Sequence, residues 1–336
     1  MKPRATAGHE LAFVILNYRT PQLSADCLDS IAAQLQPSLR AIIVDNDSRD
    51  GSALWLEQHI AAHGYQSWAQ VVRSPCNGGF AAGNNLGIGA CDASVYVLLN
   101  SDTLLRPGAI AELRSALASR EDVGIVGPSF EDGAGVPLDS CFHTDPHPLG
   151  ELVRAANSGP VARLLRKYER PPERDIHART PAWLPFACVA IRRDVFTAIG
   201  PLDEGYFMYF EDVDFCRRAR AAGFSLLYWP RARVVHLVGQ SSQVTAEGTA
   251  YRRAPRYYYA ARTRYFVKHF GEHGLLWANV AWLVGRALSG MRKVLQPDHQ
   301  AVREGELWDI WTDVYRALAS GLDRTPAVAE QSARQP

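Results

Sequence analysis

The chain has 336 residues, 47% hydrophobic and 21% charged, with a formal net charge of +1. That length holds one large domain with an appendage or two modest domains, in a composition ordinary for globular proteins. The near-zero net charge excludes the strong basic excess of a nucleic-acid binder.

The charge is unevenly spread, however: between Arg252 and Lys293 nine Lys or Arg residues face one acid, Glu272. Six cysteines without a C-x-x-C pair suggest reduced thiols and a cytoplasmic location. The first ten residues are polar, and Leu11–Leu16 is too short for a signal-peptide core or a membrane span. Leu275–Val284 also falls short of the ~20 residues a spanning helix needs.

In chain order, Leu11–Leu16, Ala41–Val44, Ala69–Val72, Val95–Leu99 and Val123–Val126 have the β-branched, apolar character of buried strands. Between them lie helical patterns at Pro21–Gln36, Ser52–His63, Phe80–Ala90 and Pro107–Ser119, the first opened by Pro21 with Thr20 as its cap. This alternation predicts an α/β fold with a mostly parallel sheet and helices on both faces. From Phe130 to about Ala182 the pattern fades, apart from a short basic amphipathic stretch at Val161–Tyr168. It returns with a strand at Trp183–Arg192, a helix at Arg193–Ile199, and a helix at Glu211–Ala222 stopped by Gly223. A strand pair at Ser225–Trp229 and Arg233–His236 follows.

In an open parallel sheet, ligands bind beyond the carboxyl ends of the strands. Those ends are polar here: Asn17–Tyr18, Asp45–Asn46–Asp47 and Asn100–Ser101–Asp102. Singly each is an ordinary turn; three at one edge suggest a site. Asp45, with Ser48, Asp50, Gly51 and Ser52, can accept from a base N–H and cap the next helix. In Asn77–Gly87, Gly78, Gly79 and Gly83 would let backbone N–H groups approach a diphosphate, or else make a Gly-rich turn before a packed helix. The segment matches neither G-x-G-x-x-G nor the Walker pattern. Alternating oxygen-bearing side chains at Asn100–Asp102 suit a hard divalent ion, with affinity dependent on a bound diphosphate.

The most specific signal is Phe207–Arg218, where Glu211, Asp212 and Asp214 fall in the first turn of a helix behind Tyr206, Phe207, Tyr209 and Phe210. Acids there complement the helix dipole. An apolar wall would also raise a carboxylate's pKa and make it a better general base. His236 closes a strand ahead of Val238–Ser242 and is a common type of metal ligand.

Taken in order, I-L-N-Y at 15–18, V-D-N-D-S-R-D-G-S at 44–52, N-G-G-F-A-A-G-N-N at 77–85, L-L-N-S-D at 98–102, L-D-E-G-Y-F-M-Y-F-E-D-V-D-F at 202–215 and V-V-H-L-V-G-Q-S-S at 234–242 resemble the family 2 glycosyltransferases of the GT-A fold, in particular the bacterial rhamnosyltransferase-like branch. The resemblance implies a catalytic domain over residues 8–243 with a mixed, mostly parallel sheet. A C-terminal helical region over 244–322 and a disordered tail over 323–336 complete the expected organisation. It implies that Asn17, Tyr18, Asp45, Asn46, Asp47, the Asn77–Asn85 loop (Gly78, Gly79, Phe80, Gly83 and Asn84 among its members), Asn100 and Ser101 hold the nucleotide of a nucleotide-diphosphate sugar. Asp102 and His236 would bind Mg2+ or Mn2+. Asp212 would deprotonate the acceptor hydroxyl, with Glu211 and Asp214 in support, and the anomeric carbon would invert in one displacement. Trp183, Phe186 and Ala187 would border the sugar and acceptor pocket, where Phe186 stands in place of the family's usual small residue. Gly200–Pro201–Leu202 likewise replaces the common Gly-Gly-Phe.

The implied donor is dTDP-rhamnose and the acceptor a glycan or lipid-linked saccharide. The cations of Arg252–Lys293 alternate with Tyr257–Tyr259, Tyr265, Phe266, Phe270, Trp277 and Trp282, a pattern for helices packed on the catalytic domain or for an anionic membrane surface on the cytoplasmic side. Trp308, Trp311 and Tyr315 continue a stripe expected in the core or at a homodimer contact. A sugar-nucleotide-forming nucleotidyltransferase would show an N-terminal Gly-rich loop with Arg and Lys where this chain has Asn17–Thr20. A non-catalytic carbohydrate- or lipid-binding module would not need the Glu211–Asp212 pair.

Overall fold

The structure, a computed structural model, describes residues 9–139, 142, 144–170, 177, 179–237, 253–295 and 305–320. The expected boundary at 243/244, the segment Val238–Ser242, Cys141 and the tail 323–336 lie outside the described residues.

The amino-terminal half follows the predicted alternation: β1 (His9–Asn17), α1 (Pro21–Ala32), β2 (Leu39–Asp45), α2 (Ser52–Ala62), β3 (Ala69–Arg73), α3 (Gly79–Gly89) and β4 (Ala93–Asn100). After these come β5 (Thr103–Leu105), α4 (Ala109–Ala118), β6 (Val123–Glu131), α5 (Pro148–Ala156), α6 (Pro160–Leu164), β7 (Cys188–Arg192), α7 (Arg193–Ile199), α8 (Glu211–Ala221) and β8 (Ser225–His236). One eight-stranded sheet has the order β3-β2-β1-β4-β7-β6-β8-β5. β3, β2, β1 and β4 run parallel, β7 runs against β4 and β6, β8 is parallel to β6, and β5 is antiparallel to β8.

The strands are apolar on both faces because both are covered. Phe13, Ile15, Ile43, Val97 and Leu99 point to one side, where Leu28 and Ile31 of α1, Leu56 and Ile60 of α2 and Leu113 of α4 meet them. Ala12, Val14, Ile42, Val44 and Leu98 point to the other, against Phe80 and Ala81 of α3, Val195 of α7 and Phe215 and Ala219 of α8.

Several expectations need correction. The strand expected at Trp183–Arg192 begins at Cys188, and Trp183 makes only an isolated bridge to Phe142. The expected strand pair is one strand, β8, with its register against β6 shifting between Pro128 and Ser129. β5 is too short, and α5 too embedded in Pro, His and Gly, to stand out as patterns. Pro21 sits in the first turn of α1 as expected, but Thr20 makes no side-chain cap; its hydroxyl donates to Ser101 Oγ at 2.9 Å.

The carboxy-terminal region is helical: α9 (Arg256–Leu295), broken at Gly271, then α10 (Glu306–Asp309) and α11 (Val314–Ser320). Tyr259, Tyr265, Phe266 and Trp282 are buried, packing with Tyr206 and Val213, or with Ala155 of α5 and Ile310. The cations that look unbalanced in sequence find acids from elsewhere. Arg262 lies on Glu151 at 2.8 Å, Arg264 and Lys268 on Asp203 at 2.7 Å, and Arg253 on Asp309 at 2.7 Å. The first half of α9 is thus packed on the rest of the protein and is not a cationic lipid-facing surface. Trp308, Trp311 and Tyr315, expected in a core or contact, are exposed, Tyr315 to 86%. Among the described residues no helix is long and apolar enough to cross a membrane.

Candidate active site

The parallel register aligns the three polar strand ends. Asn17 pairs with Asp45, and Leu16 with Asn100. The side chains at this edge divide into an inner bracket and an outer rim.

Asn17, fully buried, donates to Asp45 Oδ1 at 2.7 Å and accepts from Ser24 Oγ at 2.9 Å. The Asp45 carboxylate also accepts from Ser48 Oγ (2.6 Å) and the Ser48 N–H (3.2 Å). These bonds close the loop that follows β2, so Asn17 and Asp45 act first as the bracket under the site. The N-cap of α2 is Gly51, and the Asp50 carboxylate before it accepts from the N–H and hydroxyl of Ser52. Tyr18 and Asp47 are on the rim, partly exposed. Arg19 was not singled out in the sequence, yet its guanidinium lies 5.1 Å from the Tyr18 ring centroid and Nε donates to the Ser48 carbonyl. Arg19, Asp47 and Arg49 all hold left-handed backbone, which non-glycine residues rarely adopt. Such strain at a strand-end edge is a common mark of a functional site.

The Gly-rich segment resolves toward packing. A Cβ on Gly79 would overlap the Phe207 carbonyl, and Gly79 has φ +81°. The Phe80 N–H donates to that carbonyl at 2.6 Å, and the Gly79 N–H donates to Asn77 Oδ1 at 3.0 Å. Gly83 lies where a side chain would strike Leu16. The N–H groups of Gly79 and Phe80 are therefore used within the protein and are not open to a diphosphate. Gly78 and Asn84 are buried with them. Asn46 secures the same loop by donating to Asn77 Oδ1 (2.9 Å) and the Gly79 carbonyl (3.1 Å); Asn77 keeps partial exposure at the rim, while the partly exposed Asn85 is bonded to Leu202 and Glu204.

This clamp seats the aromatic loop before α8. Tyr209 (φ 71°) and Phe210 (φ 65°) are consecutive left-handed residues, a costly turn that the surrounding rings hold in place. Tyr209 stacks on Tyr257 at 6.0 Å, and Phe210 meets Tyr258 and Tyr265.

Glu211 and Asp212 begin α8 immediately after this turn. Burial pushes the Asp212 carboxyl up to about 7, against which the Val213 N–H donates to it at 2.8 Å and the nearby Phe186 N–H also favours the charged form. Glu211 is almost wholly buried, and burial, then the neighbouring Asp212 charge, hold it well above the carboxylate range. Its Oε2 has no hydrogen-bond partner. Two adjacent acids in one recess hold one negative charge more easily than two, and the more deeply covered Glu211 keeps the proton. Asp212, which retains solvent access, is the ionisable member.

Asp214 is different. It is fully buried between His269 (2.8 Å), Lys268 (2.8 Å) and Arg218 (2.8 Å). Despite burial, these partners hold it well below the usual carboxylate range. The expected supporting role beside the base does not fit that position: Asp214 ties α8 to α9. Two of its partners, Lys268 and His269, lie 54 and 55 residues away and had no local pattern to reveal them.

Asp212 and the Asn100–Asp102 tripeptide are joined through Phe186–Ala187. The Phe186 N–H faces the Asp212 carboxyl and favours its charged form, while the Ala187 carbonyl accepts from the Asn100 N–H at 2.9 Å. The expectation that Phe186 and Ala187 line the sugar pocket with their side chains is corrected, since both are buried and the Phe186 ring packs on Phe215 at 5.8 Å. Trp183, partly exposed and stacked on Phe142 at 3.8 Å, is the member of that group still available to a ligand. Ser101 is buried, accepting from Thr20.

β5 and β8 place Thr103 opposite His236, which brings His236 Nε2 to 3.6 Å from Asp102 Oδ1. Neighbouring ligand atoms about an ion at ~2.1 Å are separated by about 3 Å, so this oxygen and nitrogen fit a shared hard divalent ion.

Residues 9–259 match the family model described as Glycosyltransferase like family 2. The chain belongs to this family. Among its relatives, the low-salt glycan biosynthesis hexosyltransferase of Haloferax volcanii is 26% identical over 229 residues, 67% of this chain and 66% of the relative. An N-acetylglucosaminyl-diphospho-decaprenol L-rhamnosyltransferase of Mycobacterium tuberculosis is 27% identical over 230 residues, 62% of this chain and 70% of the relative. The match thus spans about two thirds of each relative's length. A mannosyltransferase structure from Pyrobaculum calidifontis, in complex with GDP-Man and Mn2+, superposes with a TM-score of 0.55 at 16% identity, covering 94% of this chain and 83% of that one. GalNAc-T7 with UDP, GalNAc and Mn2+ gives 0.56 at 13% identity over 95% of this chain and 59% of the other. The family 2 chain therefore has the GT-A fold, with a mixed, mostly parallel sheet and a C-terminal helical appendage.

Proposed function

We propose that this chain is an inverting glycosyltransferase that moves a sugar from a nucleotide-diphosphate donor to a hydroxyl of a glycan or lipid-linked saccharide in bacterial cell-surface polysaccharide synthesis. The observation that carries this reading is the Asp212 carboxyl, raised to about 7 by burial and joined through Phe186–Ala187 to the strand end bearing Asp102. A carboxyl with that affinity for protons is matched to taking one from a sugar hydroxyl at neutral pH. Proton removal at Asp212, with displacement of the nucleoside diphosphate from the anomeric carbon, inverts the configuration there.

Asp102 and His236 would hold Mg2+ or Mn2+, which when bound neutralises charge on the diphosphate. Tyr18, Arg19, Asp47 and Asn77 form the rim that would receive the nucleotide, with Asn17, Asp45, Asn46, Gly79 and Ser101 bracing it from beneath. Trp183 offers a stacking face for a sugar.

The mycobacterial relative's name, a rhamnosyl transfer to a diphospho-decaprenol-linked sugar, makes dTDP-rhamnose the first donor to test and a polyprenyl-linked saccharide the first acceptor. A lipid-linked acceptor suits peripheral attachment to the cytoplasmic face of a membrane. Exposed Trp277, Val280, Val284, Trp308 and Tyr315 are the side chains we assign to that contact, since Trp and Tyr favour the lipid–water interface. The contact is apolar, because the nearby cations are largely paired, so vesicle flotation should persist at high salt and be lost in Trp277→Ser/Trp308→Ser. Flotation unchanged by these substitutions, or their conversion of a dimer to a monomer, would reassign the surface.

The decisive experiment is calorimetric titration of nucleotide diphosphates with and without chelator, followed by transfer assays with the sugar nucleotide that binds. Metal-dependent binding followed by transfer with inversion is expected. Binding without transfer or donor hydrolysis would favour a non-catalytic module, and formation of a sugar nucleotide from a nucleoside triphosphate would favour a nucleotidyltransferase.

A further inference from the structure

Away from the strand-end edge, α1 and α2 bring a second set of chemically active side chains together. Asp29 lies on the third turn of α1, and His59 and His63 stand four residues apart at the end of α2. One ligand atom from each lies within 4.8 Å of the other two. His59 Nε2 is 3.0 Å from Asp29 Oδ1, and the two imidazole rings stack with centroids 4.1 Å apart. Asp29 is 30 and 34 residues from the two histidines, and only the packing of the two helices makes them neighbours.

The surroundings orient the ligands as well as gathering them. His63 Nδ1 lies 2.9 Å from the His59 carbonyl. A carbonyl can only accept, so Nδ1 carries the proton and the lone pair is left at Nε2. The Tyr65 hydroxyl faces the Asp29 carboxylate, whose charge holds the phenol's pKa up after burial does. An imidazole fixed through its other nitrogen and a carboxylate faced by a hydroxyl are the outer contacts that hold metal ligands in place. Zinc–nitrogen bonds of 2.0–2.1 Å in a tetrahedral set separate ligand atoms by about 3.3 Å. The 3.0 Å already present between His59 and Asp29 is close to that value. The Asp29 side chain is 39% exposed and that of His59 11%, so an ion can enter from solvent and water can fill a remaining position.

We propose that Asp29, His59 and His63 form a second metal site, selective for borderline divalent ions such as Zn2+, that cross-links α1 to α2. Two imidazoles and one carboxylate suit Zn2+, Ni2+ or Cu2+ better than Mg2+ or Mn2+. The site is separate from Asp102 and His236. Asp29 is eight residues beyond Pro21, about 12 Å along the helix from the edge where the nucleotide would lie. An ion here fixes the far ends of the two helices whose near ends carry the Tyr18–Thr20 and Asp47–Asp50 loops. Without one, a hydrogen bond makes the Asp29–His59 contact, and His63 rests on its own helix and the Tyr65 ring.

The test uses the full chain, stripped with chelator and dialysed, and titrated with Zn2+ alone. Thermal unfolding and the visible absorption of substituted Co2+ are the readouts. The native chain should bind one ion and unfold at a higher temperature in its presence. His63→Ala, an exposed position, should lower the affinity by about tenfold or more and remove the shift, as should Asp29→Asn, while His236→Ala should retain it. No Zn2+-dependent shift in the native chain, an equal shift in His63→Ala and Asp29→Asn, or loss of the shift in His236→Ala alone would each overturn the assignment.

Discussion

Replacing Asp212 with Asn separates the two consequences of its burial, one chemical and one energetic. The folded carboxyl holds its proton to about pH 7, against an ordinary value of 3.8. Below about pH 4 it is protonated whether the chain is folded or not, and the stabilising preference for the protonated form is fully present. As pH rises from 4 toward 7 the unfolded carboxyl ionises first, so folding loses that contribution. Three units correspond to a ceiling of roughly 4 kcal/mol. Solvent access at Asp212 and the sharing of charge with Glu211 reduce this to about 1–2 kcal/mol. Asparagine does not titrate. The melting temperature of Asp212→Asn relative to the native chain should therefore move in the variant's favour by about 2–4 °C between pH 4.5 and pH 8.

In single-turnover transfer with saturating donor, the same substitution should cost about 10²–10⁴-fold while nucleotide affinity survives. Native transfer should rise with pH through about 7. A melting difference that is flat across this range would refute the buried-carboxyl account. Near-normal transfer by the variant would refute Asp212 as base, and Asp214, held by Arg218, Lys268 and His269, would not be the replacement.

Glu211→Gln should cost transfer less than Asp212→Asn, because Glu211 already carries its proton; equal losses in the same turnover assay would remove that ranking. Asp214→Ala leaves Arg218, Lys268 and His269 without their shared carboxylate and should destabilise by about 3–5 kcal/mol in denaturant unfolding; a small loss would mean the socket is solvated. Gly79→Ala, which would drive a methyl into the Phe207 carbonyl, should disturb the turn before α8 and reduce transfer and melting temperature together; a normal melting curve would show that the clamp can yield. Asp45→Ala should lower stability by about 1–3 kcal/mol, because it removes the carboxylate that the Asn17 amide and Ser48 hydroxyl share, as well as weakening nucleotide binding; weaker binding with undiminished stability would return Asp45 to direct ligand contact.

The parts of this protein that were legible in its sequence are those whose signal is local. The runs Leu11–Leu16, Ala41–Val44 and Val95–Leu99 are apolar without interruption because helices cover both sheet faces, and the polar groups that end them align because parallel strands share a register. The Glu211–Asp212 pair behind an aromatic run was visible for the same reason, since its members are adjacent in the chain; the burial that raises Asp212 comes from the fold.

Where the balancing partner is distant, one-dimensional reading failed, and it failed in a consistent direction. The cations of residues 253–268 looked like a membrane-facing surplus because Glu151, Asp203, Asp214 and Asp309 are far away in sequence. Asp214 looked catalytic because Lys268 and His269 could not be seen beside it. Gly79 looked like a cradle for phosphate because the Phe207 carbonyl that fills the space lies 128 residues on.

Each error assigned to an outside ligand a need that the fold itself satisfies. What remains after those internal debts are settled is a smaller and better-defined set: the Tyr18, Arg19, Asp47 and Asn77 rim, the Asp102–His236 pair, the half-open face of Trp183, and Asp212. These are the groups we propose to meet the substrate, and all but Trp183 lie along the strand-end edge and the start of the helix clamped beside it.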